Sequence, residues 1–151
     1  MAKTPSIKQT FYYAVPPERL YAALTDPDEI TRWFADKAKI TPKKGGAYRL
    51  TWSAGYTMRG RVKSVEPGKE LKVDWIDRFE AGRVFATEAR FAFAKRGRGT
   101  QLTVTHRGFK SGKKWLGLYG AIQSGWAYYL TNLRSVLEHG IDLRSDRDEL
   151  G

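Results

Sequence analysis

The strongest pattern in the sequence is a run of bulky apolar residues near the C-terminus, spaced alternately three and four positions apart. Residues on one face of an α-helix recur at this spacing, so the run predicts a single helix of about six turns. Gly140 follows the run and is a natural residue for ending a helix. The apolar stripe consists of Trp115, Tyr119, Ile122, Trp126, Tyr129, Leu133 and Val136.

The rest of the chain shows mainly the two-residue alternation of β-strands. Residues 7–15 predict a first strand, which Pro16-Pro17 ends. Two short helices follow, one over residues 18–24 and one capped by Asp26. From the end of this second helix, which includes Trp33 and Phe34, to about Gly112, alternation and turn residues predict only strands. The predicted strands include residues 47–53, 56–65, 71–75, 85–93 and 102–106, with turns at residues 66–69, 80–83 and 97–99.

These elements predict one α+β domain over residues 1–139, followed by a charged tail over residues 140–151 that we expect to fray. The stretch 115–133 carries no charge and approaches the length of a membrane span. Polar residues such as Gln123 and Asn132, and the one-sided apolar stripe, favour instead a helix packed on a sheet, so we expect no membrane span. The N-terminus has no apolar signal segment, and we expect a cytoplasmic location.

The chain is strongly basic, with a formal net charge of +11. Residues 32–114 hold 21 Lys+Arg and 7 Asp+Glu, a local balance of +14. Such a surface is typical of proteins that bind nucleic acid, an anionic membrane or an acidic ligand, and also of ordinary soluble domains. The basic residues are spread over several turns without a nucleic-acid-binding motif, so we do not expect nucleic acid as the main partner. The candidate contacts are Lys37, Lys39, Lys43, Lys44, Lys95, Arg96, Arg98, Lys110, Lys113 and Lys114.

The sequence lacks the motifs of the common catalytic centres. It has no phosphate-binding glycine loop, no HExxH pair, no Gly-x-Ser-x-Gly elbow and no cysteine. We therefore expect no thiol chemistry, no disulfide, no metal site and no cofactor.

Five polar residues of the predicted strands can be assigned to a face. Asp74 and Asp77 are an odd number of residues apart, so we expect them on opposite faces and as surface charges. Arg59 and Glu88 alternate out of phase with their apolar neighbours, and we expect them to face solvent. His106 has the inward parity of its strand, which suits a structural histidine and leaves a role as an acid or base open.

Aromatic residues are the most informative group for function. Each one suits a hydrophobic core, but tryptophan and tyrosine have polar edges that need partners, and together they line ligand cavities well. Gly117, Gly120 and Gly125 in the long helix suggest a close approach of another element or space left for a ligand. The residues expected to contact a ligand are Trp33, Tyr48, Trp52, Tyr56, Trp75, Phe91, His106, Trp115, Tyr119, Ile122 and Trp126.

A family resemblance rests on an ordered set of short motifs between about residues 7 and 139. They are residues 15–27 with Ile30 and Trp33, residues 60–62 with Glu66-Pro67, residues 71–75, residues 99–106 with Gly108-Phe109, and Gly125-Trp126 with Leu130 and Leu133. In this order they resemble the helix-grip fold of the START/polyketide-cyclase/birch-pollen-allergen (SRPBCC-type) superfamily. Within it, the chain resembles the domain related to the activator of the heat-shock chaperone ATPase.

The resemblance implies a curved antiparallel sheet of about six or seven strands that grips the long helix over a hydrophobic cavity. Members of the superfamily bind lipids, sterols, polyketides or other apolar molecules, and some catalyse cyclisation or hydrolysis. We therefore expect a small hydrophobic or amphipathic ligand, with the basic surface favouring an anionic one. The superfamily shares no catalytic motif, so we assign no catalytic residue and prefer binding to catalysis.

Two alternatives stay open. The first is a cyclase- or hydrolase-like enzyme in which His106 is the acid or base and Tyr56 or Tyr119 is its hydrogen-bonding partner. The second is a basic surface that binds nucleic acid or an acidic protein, including a chaperone. The chaperone activator has an additional N-terminal domain that this chain is too short to contain, so we do not expect chaperone stimulation.

Overall fold

A computed structural model describes residues 5–53, 56–79 and 82–144. In this part of the chain, seven strands form one antiparallel sheet in the order β1-β7-β6-β5-β4-β3-β2. Two short helices and a long C-terminal helix complete the predicted α+β helix-grip fold. The elements are β1 (Ile7–Tyr13), α1 (Pro17–Thr25), α2 (Pro27–Ile30), β2 (Lys37–Ile40), β3 (Ala47–Trp52), β4 (Tyr56–Glu66), β5 (Glu70–Arg78), β6 (Val84–Arg96), β7 (Gly99–Arg107) and α3 (Lys113–His139).

The core lies between the inner face of the sheet and helix α3. Along β5 and β7 every second residue is buried, so one face of each strand meets the core. Towards the C-terminal end of the long β4 strand, the pairing with β5 shifts in register between Val62 and Ser64. A β-bulge of this kind bends and twists a strand, which helps the sheet to curve around the helix.

Strand β2 lies in the stretch predicted to form strands, but the sequence pattern does not identify it as a separate element. It has only four residues, and Ile40 is the one that is buried. So short a segment cannot show a convincing alternation, and it is recognised only through its pairing with β3, in which Lys39 lies opposite Arg49. Its other edge has no strand beside it, so β2 forms one border of the sheet.

The two short helices begin as expected. Pro17 occupies the first turn of α1, where its missing N–H is not needed. The Asp26 side chain accepts a hydrogen bond of 2.9 Å from the backbone N–H of Asp28 and so caps α2. The turn after α2 places Trp33 in the core, and the neighbouring Phe34 borders the space between the sheet and α3.

Helix α3 is held against strand β1 by hydrogen bonds at two positions along the helix. The Tyr13 hydroxyl donates to the Leu130 carbonyl at 2.7 Å, and the Gln9 amide donates to the Gln123 carbonyl at 3.0 Å. The helix ends at Gly140, whose φ of 70° is the left-handed conformation that glycine adopts most easily.

The chain after α3 turns back onto the domain. Arg144 donates to the Thr31 carbonyl at 2.8 Å and to the Asp142 carboxylate at 3.1 Å, and the Leu143 N–H donates to the Asn132 side chain at 2.7 Å. The expectation of fraying is therefore wrong for residues 142–144. Residues 145–151 of the predicted tail lie outside the described part, as do residues 80 and 81 of the predicted turn at 80–83.

Two strand residues differ from expectation. Asp77 is fully buried, because it has the inward parity of Trp75 on β5, so its assignment as a surface charge is wrong. Glu88 has the expected outward parity but is 9% exposed, since Lys63 and Arg107 cover it with ion pairs of 2.7 and 2.9 Å. Although burial raises it, these two cations hold the pKa of Glu88 below its ordinary value.

Candidate ligand-binding cavity

A cavity of about 520 Å³ lies between the sheet and helix α3, at the end where β3, β4 and β5 meet the turn after α2. Its volume is in the range of small-molecule sites. Asp36, Ser53 and Ala121 on its wall are exposed, so this wall reaches the protein surface. The lining residues are Phe34, Asp36, Trp52, Ser53, Tyr56, Trp75, Phe79, Leu118, Ala121, Ile122, Gly125, Trp126, Tyr128, Tyr129 and Arg144.

Phe34 joins the aromatic walls. Its ring centroid lies 5.1 Å from Trp52, 5.4 Å from Trp126 and 4.9 Å from Tyr129. These rings come from the sheet and from α3, so Phe34 connects both sides of the cavity. The Trp52 indole N–H also donates to the Phe34 carbonyl at 2.7 Å, which fixes the ring on the strand to the turn after α2. The aromatic contacts make this wall largely pre-formed.

A second row of rings follows the strand ends. Trp52 and Tyr56 are directly opposite each other on β3 and β4, with ring centroids 4.7 Å apart. Phe79 lies 5.0 Å beyond Tyr56 and is 37% exposed. Aromatic pairs across strands stabilise a sheet, and here the pairs also form one side of the cavity.

Five of the eleven residues predicted to contact a ligand line this cavity: Trp52, Tyr56, Trp75, Ile122 and Trp126. They come from three different strands and from the predicted helix stripe. The parity of the strands and the spacing of the helix are what bring them to one place.

The other six lie elsewhere. Trp33, Tyr48 and Phe91 are buried in the main core, where the Trp33 indole donates to the Ala23 carbonyl and the Tyr48 hydroxyl donates to the Leu24 carbonyl. Trp115 and Tyr119 belong to a smaller cluster at the start of α3, packed on Phe85 and Phe109 respectively. His106, the sixth, is fully buried and does not line the cavity.

Both ring nitrogens of His106 have protein partners. The Trp126 indole N–H donates to Nδ1 at 3.1 Å, so the proton of the neutral ring is on Nε2. Nε2 lies 2.7 Å from the Thr87 hydroxyl, which in turn donates to the Trp75 carbonyl at 3.1 Å. Burial lowers the pKa of His106 to about 3, although the Glu88 charge acts in the opposite direction. His106 is therefore a neutral structural residue that orients Trp126.

Tyr56 and Asp77 form a buried polar pair beneath the cavity. The Tyr56 hydroxyl donates to Oδ1 of Asp77, and Oδ2 of the same carboxylate has no hydrogen-bond partner. Burial raises the pKa of Asp77 to about 7, although the Tyr56 hydroxyl and the Trp75 indole act in the opposite direction. Burial also raises the pKa of Tyr56, and the Asp77 charge adds to this effect.

Arg144 is the basic residue of the lining, and it is already neutralised. Its guanidinium group contacts the Asp142 carboxylate and the carbonyls of Thr31 and Ala35. Asp36, on the same wall, accepts a hydrogen bond of 2.7 Å from the Ser53 N–H. The described lining therefore does not favour an anionic ligand.

Several lining residues are missing from the sequence prediction. Phe79 has the inward parity of Trp75, and Leu118 and Tyr129 continue the helix line through Ile122. These residues could have been found by extending the two periodicities. Arg144 could not, because its position depends on the buried Asn132 side chain, which bonds to the Trp33 carbonyl, to Asp142 and to Leu143.

The described residues give no sign of a metal site or a membrane-spanning helix. They contain no group of three or more His, Cys, Asp or Glu side chains placed to share a metal ion. In the same ranges, no helix combines the length and the hydropathy that crossing a membrane requires.

A curved seven-stranded sheet that holds a long C-terminal helix over an aromatic cavity defines the helix-grip class of the START/polyketide-cyclase superfamily. Within that class, the chain belongs to the family described as "Activator of Hsp90 ATPase homolog 1-like protein", which it matches over residues 14–138. No curated protein sequence matches the chain significantly.

Solved structures share this fold. The protein MLL2253 from Mesorhizobium loti is 25% identical with a TM-score of 0.78, over 89% of this chain and 97% of the other. The Aha1 dimer from Colwellia psychrerythraea is 20% identical with a TM-score of 0.77, over 91% and 98%. PFC0360w, an HSP90 activator from Plasmodium falciparum, is 24% identical with a TM-score of 0.73, over 89% and 97%. At these identities the likeness shows the fold.

Proposed function

We propose that this protein binds a small, largely apolar ligand in the cavity between the sheet and α3. The observation that carries the proposal is the cavity of about 520 Å³, with eight aromatic side chains on its walls. Apolar walls with a few placed polar groups are typical of small-molecule sites. The pocket-forming architecture of the superfamily supports the same function.

Binding is favoured over catalysis by the state of His106. The enzyme alternative requires this histidine to share hydrogen-bond reach of a substrate with Tyr56 or Tyr119. Its two nitrogens are instead bonded to Trp126 and Thr87, and Tyr56 is bonded to Asp77. His106 is therefore not placed to act as an acid or base on a molecule in the cavity, which favours ligand binding as the function.

Tryptophan fluorescence tests the proposal directly, because Trp52, Trp75 and Trp126 line the cavity. A library of lipids, sterols and polycyclic aromatic compounds is titrated and checked by native mass spectrometry. We expect at least one class to bind in a 1:1 ratio. If no compound binds, the proposal is wrong.

A matched pair of variants tests where the ligand binds. Gly125 lines the cavity, and a Cβ atom there would meet no other atom within 4 Å. Gly117 is equally open but lies outside the cavity lining. We expect Gly125→Leu to lower affinity at least tenfold by occupying cavity space, and Gly117→Leu to leave it within twofold. Equal affinities in both variants would place the ligand elsewhere.

A second candidate function rests on one row of charges on the outer face of the sheet. Lys39, Arg49 and Arg59 lie directly opposite one another on β2, β3 and β4, and all three are exposed. Like charges in direct opposition destabilise a sheet. Within the described ranges none of the three forms an ion pair. We propose that this row binds an acidic protein surface, for which a chaperone of the Hsp90 class is the candidate that the family suggests.

Purified Hsp90 and poly-L-glutamate are suitable probes for this row. We expect both probes to bind the natural protein strongly at low salt, and the double variant Lys39→Glu/Arg49→Glu to abolish this binding. The double variant Lys95→Glu/Arg98→Glu, which changes the charge by the same amount at the other end of the sheet, should retain it. Equal losses in the two variants would indicate a nonspecific charge effect. Preferential binding of RNA or DNA of the same charge would favour a nucleic-acid partner instead.

A further inference from the structure

Among the described residues, the Tyr56–Asp77 pair is where the aromatic cavity lies next to a buried carboxyl group that lacks a full set of hydrogen-bond partners. Asp77 is fully buried, and its Oδ2 accepts no hydrogen bond from the described protein. A buried carboxylate oxygen without a donor is costly, and native structures rarely keep one without a reason. The position of this oxygen is therefore informative.

The strand places Asp77 next to the cavity. Trp75 precedes it by two residues on the same face of β5, Phe79 follows directly after the strand, and both line the cavity. Its direct neighbours on the adjoining strands are Met58 on β4 and Phe85 on β6, which offer no hydrogen-bond donor of useful strength. The Tyr56 hydroxyl donates to Oδ1, and the Trp75 indole also lowers the pKa of this carboxyl group; both residues line the cavity.

The hydrogen bond between the two residues fixes what the pair can offer a ligand. An ionised carboxylate can only accept, so the Tyr56 hydroxyl must donate its proton to Asp77. The phenolic oxygen then has only lone pairs left for another partner. Since its proton is held by a negative group, this oxygen is also a better acceptor than an ordinary tyrosine hydroxyl.

We propose, on the basis of the binding function above, that the Tyr56–Asp77 pair is the polar anchor of the cavity and selects ring-shaped apolar ligands that carry a neutral hydroxyl group. The ligand hydroxyl donates to the Tyr56 oxygen, which Asp77 polarises from beneath the cavity, while the rings of Trp52, Trp75 and Phe79 hold the apolar part. An ether or ketone at the same position has no proton to donate. A carboxylate ligand is repelled by Asp77.

The experiment compares 2-naphthol, 2-methoxynaphthalene and 2-naphthoate by calorimetric titration of the whole protein at pH 8, where Asp77 is ionised and 2-naphthol is neutral. We expect 2-naphthol to bind about tenfold more tightly than the methyl ether, the ratio expected for one charge-assisted hydrogen bond. The 2-naphthoate anion should bind more weakly than either. This comparison uses only the natural protein and does not depend on the folding of a variant.

The variants then assign the preference to the pair. Tyr56→Phe should bring 2-naphthol and its ether to equal affinity, whereas Tyr12→Phe, at an exposed position of β1 outside the cavity lining, should preserve the tenfold ratio. Equal affinities of the two probes for the natural protein would overturn this inference and leave the binding function intact. Failure of all three probes to bind would count against both. A preference that survives in Tyr56→Phe would overturn the anchor role.

Discussion

The indole N–H of Trp126 donates to Nδ1 of His106 at 3.1 Å, so a side chain of the cavity wall is positioned by a histidine that lies behind it. The same histidine is linked through Thr87 to the Trp75 carbonyl, and Trp75 is another cavity residue. One neutral imidazole is therefore linked by hydrogen bonds to two tryptophans of the cavity wall. It accepts from the indole of Trp126, and it is linked through Thr87 to the backbone carbonyl of Trp75. Protonation of this ring would remove the acceptor that Trp126 uses.

The first prediction concerns acid stability and His106. Burial lowers the pKa of His106 to about 3 in the folded state, against 6.5 in the unfolded chain. The stabilisation from this residue is thus complete above pH 6.5 and is lost as the pH falls from 6.5 towards 3. We expect the free energy of unfolding of His106→Gln, measured by urea denaturation, to fall less between pH 6.5 and 4.5 than that of the natural protein. The variant His139→Gln, at an exposed site, should follow the natural profile.

The second prediction concerns Asp77 and has the opposite sign. Burial raises the pKa of Asp77 to about 7, against 3.8 for the ordinary group. The stability associated with its neutral form is complete below pH 3.8 and is lost as the pH rises to 7. We expect Asp77→Asn to be more stable than the natural protein at pH 8, by an amount on the order of 1–4 kcal/mol. Asp74→Asn, on the outer face of the same strand, is the matched control, and an equal gain there would contradict the explanation.

The third prediction concerns the anchor of the C-terminal segment. The buried Asn132 side chain makes three hydrogen bonds, to the Trp33 carbonyl, to Asp142 and to the Leu143 N–H. We expect Asn132→Ala to reduce the free energy of unfolding by about 2–3 kcal/mol, because several buried polar groups lose their partner. Trypsin should also cleave after Arg144 faster in this variant. Thr131→Ala, at the neighbouring exposed position, should change neither property.

The fourth prediction concerns the exposed glycines of α3. A Cβ atom at Gly117 or Gly120 would meet no other atom within 4 Å, so the expected close approach of another element is absent at these positions. Alanine at either site should raise the free energy of unfolding by about 0.5–1 kcal/mol, since glycine is a poor helix former. Thermal unfolding measures the gain, and a lower Tm in both variants would contradict the explanation.

The fold was predictable because its elements have clear periodicities. The three-and-four spacing from Trp115 to Val136 predicts α3, and the two-residue alternation predicts β5 and β7. Strand β2 is not identified as a separate strand because four residues carry too little pattern. The hydrogen-bonded order of residues 142–144 is not predictable, because their partners Asn132 and Thr31 are far away in sequence.

The site was less predictable. The alternation along a strand tells which face of the sheet a side chain occupies, but it does not tell whether the space beside that face is filled by other side chains or left open as a cavity. Tyr48 and Trp75 both point inwards, yet Tyr48 is packed in the core and Trp75 borders open space. Phe34 and Trp33 are neighbours in one turn, and only the packing of the turn decides which one reaches the cavity. Asp77 was assigned to the surface because charged residues are usually there, and here the fold buries it.

The open position at Gly125 has a practical consequence for a chain that contains no cysteine. Replacing Gly125 by cysteine would give the molecule a single thiol on the cavity wall. The rate at which a small alkylating reagent modified that thiol would report how accessible the cavity interior is, and a bound molecule would slow the reaction. Residence times could then be measured for any compound, whether or not it affects fluorescence.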